Sequence, residues 1–413
     1  MPDALPGEYY LRDGLEWVAS DQRTLDLNDY NWLGRPELGF VSPSPAVTVN
    51  ATGVIPLDFV QFEVTTTNTN LWGYIVLDNP PQSSNLSSEP AVLYASGGHL
   101  PDGRTGDHTW FNQVEECDLP LDGGPNLTTD DGGQYYLCYA YGPSSSIGGL
   151  AIDADAGAML NLPLAPGVSR QLSTTIAPAV FLQHQTEVHP QATPITVDVS
   201  VYPSPGYAGA PEIWASYSGV LFEVEPQAPL ADMPLSFGYS DIFPADWVRF
   251  VSWSYIFRHP SLLPGTTSGR SNGSITEQRP LAAMPASLST RLSPPTQFTV
   301  DGQSAAPAQT LARLTPRLEW SAPTLGTPNG YQGRIQRLEV NNSVTDRTTV
   351  VLFRTPFTHF QVPPGVLSSG GTYMVRLSAI YGPTLDLVHS PRSSDWTIDE
   401  SRADTMSGIW TAP

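Results

Sequence analysis

Leu367-Ser-Ser-Gly-Gly-Thr-Tyr373-Met-Val-Arg-Leu-Ser-Ala379 is the clearest structural signal in the chain. A Gly-Gly turn leads into Tyr373, Val375, Leu377 and Ala379, which fall at every second position. Side chains of a β-strand alternate between faces, so this spacing predicts a strand with one buried side. The Tyr at its head can bury its ring while the hydroxyl bonds back to the corner it has just left. Such a corner needs a second sheet to pack against.

Further strands are expected just upstream. Leu318 and Trp320 share one face of a short strand. Tyr331 opens a longer strand through Val340, with an irregularity expected near Gln336-Arg337. Val350-Val-Leu-Phe353 and Phe357-Thr-His-Phe360-Gln-Val362 follow. Pro316-x-Leu318-x-Trp320, Gly330-Tyr331, and Leu367 six residues before Tyr373 together resemble a fibronectin type III domain over 308–396. The family's usual Pro-Gly is Gly370-Gly371 here. The resemblance implies an immunoglobulin-like sandwich with Leu318, Trp320, Tyr331, Leu367, Tyr373, Val375 and Leu377 in its core. It implies no catalysis, and no Arg-Gly-Asp is present for integrin-type adhesion.

The rest of the chain shows the same period of two. Leu57-Asp-Phe-Val-Gln-Phe-Glu-Val64, Leu71–Leu77, Ile195–Tyr202 and Val220–Glu225 alternate. Trp247–Phe257 is apolar enough to be buried on both faces for part of its length. Pro/Gly/Ser/Asn clusters separate these runs, and no convincing helical periodicity interrupts them. Short strands at this density predict an all-β protein of tandem β-sandwiches. The expected organisation is 1–40 as N-terminal strands, the end of a truncated β-domain or a lead-in, 41–235 as a sandwich with one disulfide, and 236–303 as a β-rich extension or small domain. The fibronectin-like unit and a tail, 397–413, complete it.

Composition excludes several classes. The 413 residues suit two to four domains. All 19 basic residues are Arg, against 40 Asp and Glu, for a net charge of −21. A chain so acidic, with no basic patch, is a poor partner for nucleic acid. No apolar window is long enough for a membrane helix, and the first residues lack the form of a signal peptide. The opening strand-like Glu8-Tyr-Tyr-Leu-Arg12 suggests that a leader or domain once preceded Met1. Absence of Lys fits a high-GC gene, and the whole chain also resembles secreted or lipid-anchored surface proteins of high-GC Gram-negative bacteria. Leu33-Gly-Arg-Pro36 and Arg279-Pro-Leu-Ala-Ala-Met284 prompt that comparison.

Chemistry is sparse. Cys117 and Cys138 are the only cysteines and can form one disulfide, which would place the chain in an oxidising, extracellular compartment. Asp118, Asp122, Asp130 and Asp131 could hold a structural calcium through carboxylates and carbonyls. His99, Asp102, Asp107 and His108 are an alternative metal set, and the only region where a hydrolytic site is expected. No hydrolase elbow, zinc-protease, P-loop or dinucleotide motif occurs. Trp72, Trp110, Trp214, Tyr217, Trp247 and Trp253 could offer sugar-stacking platforms, though large aromatics usually fill sandwich cores. The reading that follows is a non-enzymatic extracellular or cell-surface protein with a spacer or adhesion role and a protein or glycan partner. A carbohydrate-binding module is the alternative, and a hydrolase near His99–His108 the more remote one.

Overall fold

A strand feeds its side chains alternately to two faces, and almost every element of this chain is a strand. The computed structural model describes residues 7–27, 45–56, 61–66, 72–79, 83–96, 108–116, 137–153, 157–204, 220–226, 228–267, 269–393 and 397–413. Among the described residues only two single-turn helices, Ala179–Leu182 and Gln185–Val188, and one 3-10 turn interrupt the β-structure. The protein is all-β, built of packed sheets.

Seven strands between Ala46 and Pro163 form the first module. Ala158–Pro163 runs parallel to Ala46–Thr52, and the order continues antiparallel through Asn85–Ser96, Trp72–Leu77, Gln61–Thr66, His108–Glu116 and Leu137–Gly148. Ser144 and Ala165 exchange two backbone hydrogen bonds of 2.9 and 2.8 Å, which bring the last strand back to the first. Val49, Phe62, Val64, Ile75, Leu93, Phe111 and Leu160 fill the interior. Because Phe62 and Val64 point in, Glu63 and Thr65 must leave the opposite face.

The second module is a sandwich. One sheet is Val168–Ile176 flanked by Met233–Asp241 and Ser287–Leu288. The other is Phe222–Glu225, Thr193–Ser204, Val248–Pro260 and Arg270–Pro280. Leu172, Ile176, Leu235 and Phe237 pack with Val197, Val199, Val201, Trp253 and Tyr255. The boundary expected near residue 235 therefore runs through this module, because strands on either side of it pair. Alternation identifies strands but carries no information about which distant strand each will join. The long strand expected to be buried on both faces for part of its length is so at the adjacent Phe250 and Val251, after which Trp253, Tyr255 and Phe257 are buried while the residues between them stay half-buried.

The C-terminal module is a fibronectin-like sandwich. Thr296–Val300, Arg317–Ser321 and His359–Gln361 make one sheet, with Gln303–Ser304 at its edge. Val344–Thr355, Gly330–Asn341, Thr372–Tyr381 and Glu400–Met406 make the other, in that order. Its first strand begins before 308 and its last lies within 397–413, the stretch expected to be a tail. The last strand escaped the sequence pattern because its buried positions include Ser401 and Asp404 as well as Ala403 and Met406. Leu318, Trp320, Tyr331, Leu367, Tyr373, Val375 and Leu377 are all buried. A register shift falls at Ile335/Gln336.

The modules are joined strand to strand. Arg270–Pro280 of the second pairs with Glu400–Met406 of the third, Ile275 opposite Ala403. Phe222–Glu225 pairs with Leu137–Gly148 of the first. Within the N-terminal stretch where strands were expected, the described residues form the hairpin Tyr9–Asp13/Glu16–Ser20, which covers the outer edge of the third module, Glu16 beside Leu352. Tyr10 sits edge-on to Phe360 at 5.4 Å and accepts a hydrogen bond from Gln361 N. Glu16 bonds Arg354 and Arg392. One ribbon of hydrogen-bonded strands thus passes through all three modules.

Candidate functional site

Among the described residues, an acidic cluster lies on two paired strands. Asp198 on Thr193–Ser204 and Glu223 and Glu225 on Phe222–Glu225 leave the face opposite the sandwich core. Val199 pairs with Val224 and both point inward, so the flanking carboxylates share the outer face. Oxygens of all three lie within 4.8 Å of one another. Ser200 Oγ donates to Asp198 Oδ1 at 2.5 Å. Burial lifts Asp198 to about 6, against which the Ser200 bond works. Burial also lifts Glu223 to about 7, with further upward pushes from the charges of Asp198, Glu225 and Glu63. Burial raises Glu225 as well. Glu63 belongs to the first module, so the cluster spans a module junction.

Three hard carboxylates at this separation can share protons or bind a divalent cation such as calcium, magnesium or manganese. They were missed in the sequence, although Asp198-Val-Ser200 and Glu223-Val-Glu225 are legible as strands. The available signal was the placement of acids at alternating positions of two strands, which becomes a cluster only once the strands pair.

Two other polar and aromatic sites are built. His189 and His259 are buried with ring centroids 3.7 Å apart. Gln191 N donates to His189 Nδ1, so Nε2 carries the proton and donates to Ala306 O. Burial drives His259 down to about 4, helped by His189, and burial lowers His189. Separately, Trp110 meets Trp247 at 5.0 Å, and Trp247 stacks on Phe243 at 5.1 Å. A cleft of about 360 Å³ opens beside Trp110 and Phe243, with Ser145 and Asp241 in its wall.

Of the expected sugar-stacking residues, Trp110 and Trp253 are buried and Trp247 is half-buried in that stack. None of these three presents an open platform. Trp214, Tyr217 and the side chain of Trp72 lie outside the described residues. So do Cys117, Asp118, Asp122, Asp130, Asp131, His99, Asp102 and Asp107. Cys138 and His108 are placed only as backbone, on Leu137–Gly148 and at the start of His108–Glu116.

No family model matches the chain, and no curated protein matches it. Among solved structures, the crystal structure of chicken CNTN1 FN1–FN3 domains is 11% identical and covers 89% of this chain and 99% of that one, at a TM-score of 0.16. A superposition that poor carries no weight here. The fibronectin-like character of the third module rests on its own strand order and its tyrosine corner.

Proposed function

We propose that this chain is a non-enzymatic protein of the cell exterior, of the secreted or lipid-anchored kind found in high-GC Gram-negative bacteria. It acts as a spacer or adhesion element, and its partner is a protein or glycan. The disulfide between Cys117 and Cys138 belongs to this reading. The observation that supports it is strand pairing across both module junctions, Ile275 with Ala403 and Val224 with Cys138. Modules joined by flexible linkers move independently by default. Modules joined by backbone ladders hold a fixed geometry, which suits a rigid presenting arm. A net charge of −21 adds solubility and keeps copies apart.

Two panels test it. The immobilised chain is offered arrayed glycans and extracellular proteins, then incubated with glycosides, esters and peptides. Retention of an array ligand supports the adhesion form, and silence on both panels supports the spacer form. Turnover of any substrate overturns the proposal.

A further inference from the structure

Arginine is scarce in this chain, at 19 residues against 40 acids, yet three converge on one cleft. The cleft, about 150 Å³, lies where the outer face of the third module meets the strand Arg270–Pro280. Arg334, Arg347, Arg376, Gln336, Asn272 and Ser271 supply its polar wall. Arg334 and Arg376 are direct cross-strand partners. Like charges placed opposite one another destabilise a sheet.

Among the described residues, Asp404 offsets this charge in part, without a hydrogen bond to any of the three. Arg334 is half-buried and has no hydrogen bond or ion pair there. Arg347 donates only to the neutral Ser271 Oγ at 3.1 Å. Arg376 donates weakly to Asn272 O at 3.4 Å and stands 3.9 Å from Asp404. Asp404 is already engaged by Ser274 N, Ser274 Oγ and Ser378 Oγ at 2.9, 3.3 and 2.6 Å. Burial, then Arg376 and Arg402, holds Arg334 below the ordinary guanidinium value, with the charge of Asp404 working against them, and burial, then Arg376, does the same to Arg347. The three groups repel one another in a partly enclosed space. Guanidinium forks match the oxygens of sulfate and phosphate, and a dianion offsets three cations better than a carboxylate does.

We propose that this cleft binds a tetrahedral dianion, sulfate or phosphate, free or as the terminal group of a larger ligand. The site is independent of the spacer or adhesion reading, since it could serve an enzyme or a binder equally.

The test is thermal unfolding and calorimetric titration of the full chain with sodium sulfate and with sodium phosphate, at constant ionic strength in chloride. A saturable rise in Tm with heat at one-site stoichiometry is expected. Both are expected to weaken at least tenfold in Arg334→Gln and Arg376→Gln, and to persist in Arg337→Gln, whose side chain is exposed and paired with Glu339. Because Arg334→Gln removes a like-charge opposition, its Tm in chloride is expected to match or exceed that of the parent. Saturation by sulfate alone, or by phosphate alone, identifies the source. Sulfate also stabilises proteins non-specifically by exclusion from their surfaces. A linear, non-saturating rise shared equally by parent and variants overturns the proposal. Should a variant fail to fold, equilibrium dialysis of the parent against radiolabelled sulfate and phosphate replaces it, and absence of bound anion overturns the proposal equally.

Discussion

Tyr373 shows how few atoms set the corner of the third module. Its hydroxyl accepts from Ser368 N at 2.8 Å. A Cβ on Gly371 would come within 2.5 Å of that hydroxyl, and Gly370 has a φ of +72°, so both glycines are required. Tyr373→Phe strands a part-buried amide and is expected to cost about 1–3 kcal/mol in denaturant unfolding, with the fold retained. Asp198 and His259 oppose each other as pH changes. Asp198 titrates higher folded than unfolded, so its ionisation opposes folding increasingly from the ordinary carboxylate value up to pH about 6, in full above that, and the penalty fades on acidification. Asp198→Asn is therefore expected to raise Tm at pH 8 and to change it little at pH 4. His259 titrates lower folded, at about 4, so its share of stability is complete above the ordinary histidine value and is lost as pH falls toward 4. Thermal melts of His259→Gln are expected to show a shallower loss than the parent between pH 6.5 and 4. An identical slope contradicts the placement of this ring.

At the scale of elements, Glu277 ties two modules together. It is fully buried on Arg270–Pro280 and accepts from Arg291 N at 2.6 Å and from the side chains of Arg279 and Arg291. Arg291 also donates to Ser401 Oγ at 2.8 Å on the last strand. Glu277→Ala leaves two guanidiniums without their buried acceptor and is expected to cost about 3–5 kcal/mol, read from denaturant midpoints. Little of this was legible beforehand. Tyr373, Trp320 and the irregularity at Gln336 were, because turn chemistry and period-two alternation are local. Pairing of Ile275 with Ala403 was not, because nothing in either segment names a partner more than a hundred residues away. Glu400–Met406 was not legible either, because polar Ser401, Asp404 and Thr405 are buried on it together with Ala403 and Met406, so no apolar stripe marks it. The acidic cluster follows from pairing too, since Asp198 and Glu223 become neighbours only when their strands meet.

At the scale of the molecule, the ribbon pairs strand edges that would otherwise lie open, and open edges invite aggregation. The N-terminal hairpin covers the edge Val344–Thr355, and the second module covers Glu400–Met406. A chain begun at residue 21 is expected to melt lower and to form higher-order species in size-exclusion chromatography, through the uncovered edge. Backbone pairing makes the modules one body, and hydrogen exchange by mass spectrometry reads that pairing peptide by peptide. Peptides covering 272–279 and 400–406 are expected to exchange as slowly as the core peptide 372–381 and to open with it. Rapid exchange of 272–279 and 400–406, with 372–381 still protected, would mean that the modules merely touch, and would contradict the ribbon.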